Sequence, residues 1–142
     1  MSLREGAETV VNQCLNISEG ERIVVVNDGN DQDLINSLIE VLEERDVKYI
    51  LMGYREPESS GTEPPKEVSD AMKDFDVVIA PTNKSISHTK AREEANKTGT
   101  RIATMPTVNK EIWNTSLQAD YSEVKRITEK VHELLKDTSE IR

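Results

Sequence analysis

Two segments of this 142-residue sequence carry side chains whose types and spacing suit chemistry. The first is Asn27-Asp28-Gly29-Asn30-Asp31, followed at once by a further carboxylate, Asp33. Three carboxylates this close together suit a magnesium ion, and they equally suit the positive end of a helix, where they cap free N–H groups. The second segment runs Ala80-Pro81-Thr82-Asn83-Lys84-Ser85-Ile86-Ser87-His88-Thr89-Lys90-Ala91-Arg92. Hydroxyls, amides, a histidine and bases converge there on a helix start, which is the general form of an anion cradle. Between Thr82 and Arg101 stand five basic and two acidic residues. The plainer reading makes Ser87 or Thr89 a helix cap, His88 a loop residue and the bases a solvated helix face. The candidates for an anion site or a domain interface are therefore Asp28, Asn30, Thr82, Lys84, Ser85, Ser87, His88, Thr89 and Arg92. No catalytic residue and no metal ligand is assigned.

Several familiar chemistries lack a required residue. A dinucleotide fingerprint needs three spaced glycines, and the first loop has only Gly29; the Gly-Lys-Ser/Thr ending of a phosphate loop is absent. A calcium loop counted from Asp28 has Asp33 at its sixth position and Ile39 at its twelfth, where Gly and Glu belong. A receiver-type phosphoacceptor Asp has no counterpart at Pro81-Thr82. Cys14 is the only cysteine, so there is neither a disulfide framework nor a Cys-built zinc site, and its apolar flanks make it a buried helical thiol.

The charge balance narrows the partners. Eighteen basic against 27 acidic residues give a net charge of −9, which opposes a nucleic-acid module. Residues 1–71 hold 16 acids and 6 bases, residues 72–142 hold 11 and 12, so the second half alone suits an anion. No apolar run approaches the roughly 18 to 20 residues that span a bilayer, and there is no signal-peptide core. The expectation is a cytoplasmic chain with neither membrane nor nucleic-acid contacts.

Hydrophobic periodicity supplies the elements that position the two segments. Leu3, Ala7, Val10, Val11, Cys14 and Leu15 trace a helix over 3–16, and 22–27 is a β-branched run covered on both faces. Leu34 to Leu42 mark a second helix, 47–54 a second strand, and 55–65 an exposed, proline-rich loop of the kind that covers a site. A short helix carrying Val68 and Met72 follows, then a strand over 77–80 cut by Pro81 and a helix over 89–98 ended by Gly99. The strand over 101–105, a short helix capped by Asn109 and bearing Trp113, and a last helix begun by Asp120 complete the chain. Val124, Ile127, Val131, Leu134 and Leu135 form the stripe of that last helix, with His132 beside it on the surface. Trp113 reads either as a lid over the core or as an interface anchor.

This alternation predicts one α/β domain over 1–142: an open, mainly parallel four-stranded sheet of order 2-1-3-4 with helices on both faces, a three-layer arrangement of Rossmann or flavodoxin type. Strands 1 and 3 are then neighbours whose following loops diverge, which places a crevice between 27–31 and 81–89.

The stretch Asp76 to Arg92 (DVVIAPTNKSISHTKAR), followed by Gly99 to Pro106 (GTRIATMP), resembles the N-terminal domain of aminopeptidase T-like leucyl aminopeptidases, the thermophilic metalloaminopeptidase family. The opening helix with Cys14-Leu15-Asn16, the Val-rich strand after Gly20-Glu21, and Glu63-Pro64-Pro65 extend the resemblance over nearly the whole chain. It implies a two-domain parent whose second domain binds two divalent metal ions through Glu, His, Tyr and Asp and removes N-terminal residues from peptides. None of those ligands has a counterpart here, so the resemblance implies a domain without catalysis of its own and without a cofactor. Its partner is then the metal-bearing C-terminal domain or another subunit, a second copy of the chain included. The alternative is a free-standing small-anion or nucleotide-binding module that uses the loop after strand 3.

Overall fold

A computed structural model describes residues 2–142. Four strands, β1 (Arg22–Asn27), β2 (Lys48–Gly53), β3 (Val77–Thr82) and β4 (Arg101–Pro106), form one parallel sheet in the order β2-β1-β3-β4. Six helices join and flank them: α1 (Leu3–Glu8), α2 (Gln32–Glu44), α3 (Lys66–Asp74), α4 (Lys90–Lys97), α5 (Lys110–Ser116) and α6 (Tyr121–Leu135). The expected α/β architecture and strand order are those observed.

Period-two alternation within β1 and β3 sorts the core into two layers. Ile23, Val25, Val77 and Ile79 face α1, α2 and α5, where they meet Ala7, Leu34, Leu38 and Trp113. Val24, Val26, Val78 and Ala80 face α3 and α4, where they meet Val68, Met72, Ala91 and Ala95. Ile23 to Val26 of β1 and Val77 to Pro81 of β3 are thus apolar without a break, because helices cover both faces of these strands.

Four local features that the sequence reading left open or placed otherwise have physical causes. Pro81 does not end β3, which runs on to Thr82. The β1 partnership stops at Ile79, so the N–H that Pro81 lacks has no ladder position to fill on that side. The first helix changes over Thr9–Cys14 into a π-helical turn, with Leu15 N–H donating to Val10 O at 3.0 Å. That wider turn buries Leu15 and Ile17 and leaves Cys14 exposed, which corrects its assignment as a buried thiol. Trp113 is a core residue, 0% exposed, and its Nε1–H donates to Leu3 O at 2.7 Å. Of its two readings, the one that places it over the core is the one observed. Finally, α6 buries none of its residues, and its apolar stripe faces solvent.

Among the described residues no helix is long and apolar enough to cross a membrane.

Candidate functional site

The crevice forms at the carboxyl ends of β1 and β3. Asn27 closes β1, and its side-chain oxygen accepts Gly29 N–H at 2.6 Å and Asn30 N–H at 2.9 Å. This tight turn, with Gly29 at a φ of +96°, drives Asp28 inward. Asp28 is 1% exposed, and its carboxylate accepts Asn83 N–H at 2.7 Å and Lys84 N–H at 2.9 Å. It therefore fastens the loop after β3 to the loop after β1. Asn30, also buried, adds a second tie through its side-chain amide, which donates to Asn83 Oδ1 and to Val108 O, each at 3.1 Å.

Of the three carboxylates of the first segment Asp28 alone turns inward, while Asp31 and Asp33 stay together at Lys110, whose Nζ lies 3.5 Å from Asp31. Asp31 caps α2 by accepting Asp33 N–H at 2.9 Å, and Asp33 pairs with Lys110 from α5. Among the described residues no group of three or more His, Cys, Asp or Glu side chains is placed to hold a metal ion.

The loop over 55–65 is exposed, and it is tied to the second segment at several points. Ser60 Oγ accepts Ser85 N–H at 3.0 Å, Gly61 N–H donates to Ser85 O at 2.8 Å, and Glu56 lies 3.7 Å from Lys84 Nζ. Glu63 makes the decisive contact. Its carboxylate accepts Lys90 N–H at 2.6 Å and Ala91 N–H at 3.1 Å in the first turn of α4, while Thr89 Oγ1 accepts Arg92 N–H at 3.2 Å. The N–H groups that an external anion would engage are thus already held by an internal one.

The other candidates serve the same framework. Ser85 Oγ accepts Ser87 N–H at 3.2 Å, Ser87 Oγ donates to Thr104 Oγ1 at 2.8 Å, and Arg92 Nε donates to Ser87 O at 2.8 Å. Thr89 is buried and is the cap residue of α4. Exposed His88 takes no part in this network. Thr82 is fully buried with its hydroxyl unpartnered, as is the hydroxyl of Tyr54 just past β2. Burial first, and the Asp28 carboxylate second, push the Tyr54 phenol up to about 12.

The sequence matches no protein-family model and no curated protein. One solved structure, of the 2,5-dihydroxypyridine dioxygenase from Pseudomonas putida KT2440, is similar over 75% of this chain, with a TM-score of 0.56 and 18% identity. The matched part is 36% of that chain. At this identity the likeness concerns the fold.

Three residues of the crevice escape a reading by local spacing: Tyr54, Glu56 and Glu63. Glu63 and Lys90 are 27 positions apart, and only folding brings the carboxylate to the helix. The one available signal was the resemblance, which includes Glu63-Pro64-Pro65 without assigning the carboxylate a role. A polar cavity of about 270 Å³ lies at the opposite end of the sheet, where Arg101 is paired with Glu21 at 2.6 Å.

Replacing Glu63 by Ala strips two donors of their acceptor and removes a negative charge from the positive end of α4. The expected loss is about 1 to 2 kcal/mol. Urea unfolding measures it, and an unchanged midpoint would mean that water serves those donors equally well.

Proposed function

We propose that this chain is the non-catalytic α/β domain of an aminopeptidase-like metallopeptidase, with its crevice loops packing on a metal-bearing domain or another subunit. The carrying observation is that the crevice is closed from within. Asp28 holds Asn83 and Lys84 N–H, and Glu63 holds Lys90 and Ala91 N–H. A cradle for a free anion presents vacant donors, whereas a packing surface needs a rim whose backbone is already satisfied and rigid. The resemblance in Asp76 to Arg92 supplies the peptidase parent. The structural neighbour adds that such a fold also occurs as a minor part of a longer chain, since the match covers 36% of it.

On this reading the purified chain turns over no leucyl-anilide in the presence of zinc, cobalt or manganese. Metal-dependent release of the aniline by this chain would overturn it. The competing anion module has its own measurement: phosphate or sulfate at 100-fold above a site's Kd would stabilise the fold by about 2.7 kcal/mol. The expected result for the natural chain is no such gain, and a gain abolished by Lys84→Ala or Ser87→Ala would favour the module.

A further inference from the structure

The rim of the crevice has its backbone donors satisfied, whereas its floor has side-chain oxygens without partners. The register that pairs Asn27 with Gly53 and Val25 with Ile79 leads, one row past the end of β1, to Tyr54, Asp28 and Thr82. Tyr54 N–H, donating to Asn27 O at 3.0 Å, carries the β1–β2 ladder into that row. By alternation Tyr54 and Thr82 lie on the face of Met52 and Ala80, and Tyr54 packs on that layer of the core. Asp28 turns to the same place: its carboxylate reaches Asn83 and Lys84 N–H, and its charge acts on the Tyr54 phenol.

Three oxygen-bearing side chains thus share one buried row, and their surroundings do not satisfy them. Thr82 is 0% exposed with its hydroxyl unpartnered, and the buried phenol oxygen of Tyr54 has no partner either. Asp28 holds one N–H on each carboxylate oxygen but no cation, since Lys84 Nζ lies with Glu56 and Lys110 Nζ with Asp31 and Asp33. Buried hydroxyls are ordinarily hydrogen-bonded, and a buried carboxylate is ordinarily paired with a positive group.

We infer that this row binds one primary ammonium group through Asp28, Tyr54 and Thr82. Chemistry selects the class. An ammonium carries one positive charge and three N–H donors with no acceptor, and the row offers one uncompensated negative charge and three oxygen acceptors. An anion is repelled by Asp28. A divalent metal ion takes roughly six or more oxygen ligands, more than three side chains provide. The position is also the one that open α/β sheets use for ligands, because β1 and β3 flank the point where the strand order reverses. Entry has a route as well. The chain passes from Tyr54 straight into the loop over 55–65, which supplies nothing to either core layer and is tied by polar contacts to Asn83, Ser85, Lys90 and Ala91. Such a loop lifts while both layers stay packed.

Methylammonium chloride, titrated into the full chain at neutral pH, tests this. The NMR signals of the Tyr54 ring and the Thr82 methyl are expected to move along one saturable curve. The melting temperature rises by about 3 to 6 °C at tenfold above the Kd. Tetramethylammonium, which has the charge without N–H donors, and potassium, which has the charge alone, leave both readouts in place. Thr82→Val and Tyr54→Phe each weaken methylammonium binding by about tenfold or more, followed through the signal that remains. Neither change costs the fold a hydrogen bond, because neither hydroxyl makes one. A response to potassium equal to that to methylammonium would make the row a plain cation site and overturn the ammonium assignment. No saturable response to any of the three, with water serving the hydroxyls, overturns it too, and so does a response that survives both substitutions. Peptidase turnover is blind to all of these outcomes, so the ammonium site and the domain reading fail separately.

Discussion

Asp28→Ala is expected to unfold at markedly lower denaturant, with a loss of about 3 to 5 kcal/mol, because two charge-assisted hydrogen bonds vanish together. The carboxylate is buried and has Asn83 and Lys84 N–H as its partners, and alanine offers those donors nothing. Water is poorly placed to substitute at a site that is 1% exposed. Asp28→Asn keeps one carbonyl oxygen but turns an amide N–H₂ toward the second donor, so its loss falls between the natural chain and alanine. Tyr54 gives a second readout that a general loosening would not imitate. Its phenol stands at about 12 through burial and, after that, through the Asp28 charge. In Asp28→Asn the charge contribution disappears and burial remains, so the phenol titrates lower while staying above the ordinary value of about 10. Ultraviolet titration against Tyr54→Phe isolates that step. A loss below about 1 kcal/mol, of the size usual for surface changes, would show that the two loops hold their positions without Asp28.

Strand order, both core layers and the caps Asp31, Thr89, Asn109 and Asp120 follow from periodicity and from residues within a few positions of each other. Asp28 was legible as a loop carboxylate but not as a fastener. Its partners are the N–H groups of residues 55 and 56 positions away, and backbone donors leave no trace in side-chain identity. Glu63 is hidden for the same reason. The stripe of α6 was legible, and its surroundings were not. Periodicity states that a face is apolar without stating what covers it, and in this fold neither core layer reaches it. Cys14 turned outward because a π-helical turn shifts every later side chain around the axis, and that turn has no compositional signal here.

Gly6 and Trp113 provide the second large effect, and one whose sign depends on context. A glycine inside a helix normally costs about 1 kcal/mol relative to alanine, so Gly6→Ala on propensity alone would stabilise α1. A Cβ at Gly6, however, would lie 2.2 Å from Trp113 Nε1 and 2.5 Å from Cδ1. The indole cannot step back, because it is fully buried and its Nε1–H is committed to Leu3 O at 2.7 Å. Overpacking therefore prevails over propensity, and Gly6→Ala is expected to lose about 3 kcal/mol. Trp113→Ala loses about 3 to 5 kcal/mol through the void it leaves in the layer shared by α1, α2 and α5. Combined, the two changes are not additive. With the indole gone the new methyl enters empty space and the helix propensity of alanine is restored, so the double variant is no less stable than Trp113→Ala alone. The coupling then amounts to at least about 3 kcal/mol, well above the scatter of independent sites. Chemical unfolding of the four proteins closes the cycle. Simple additivity would mean that the α1 backbone, rather than the indole, yields to the extra carbon, and that the close approach of Gly6 to Trp113 is not what fixes α5 against α1.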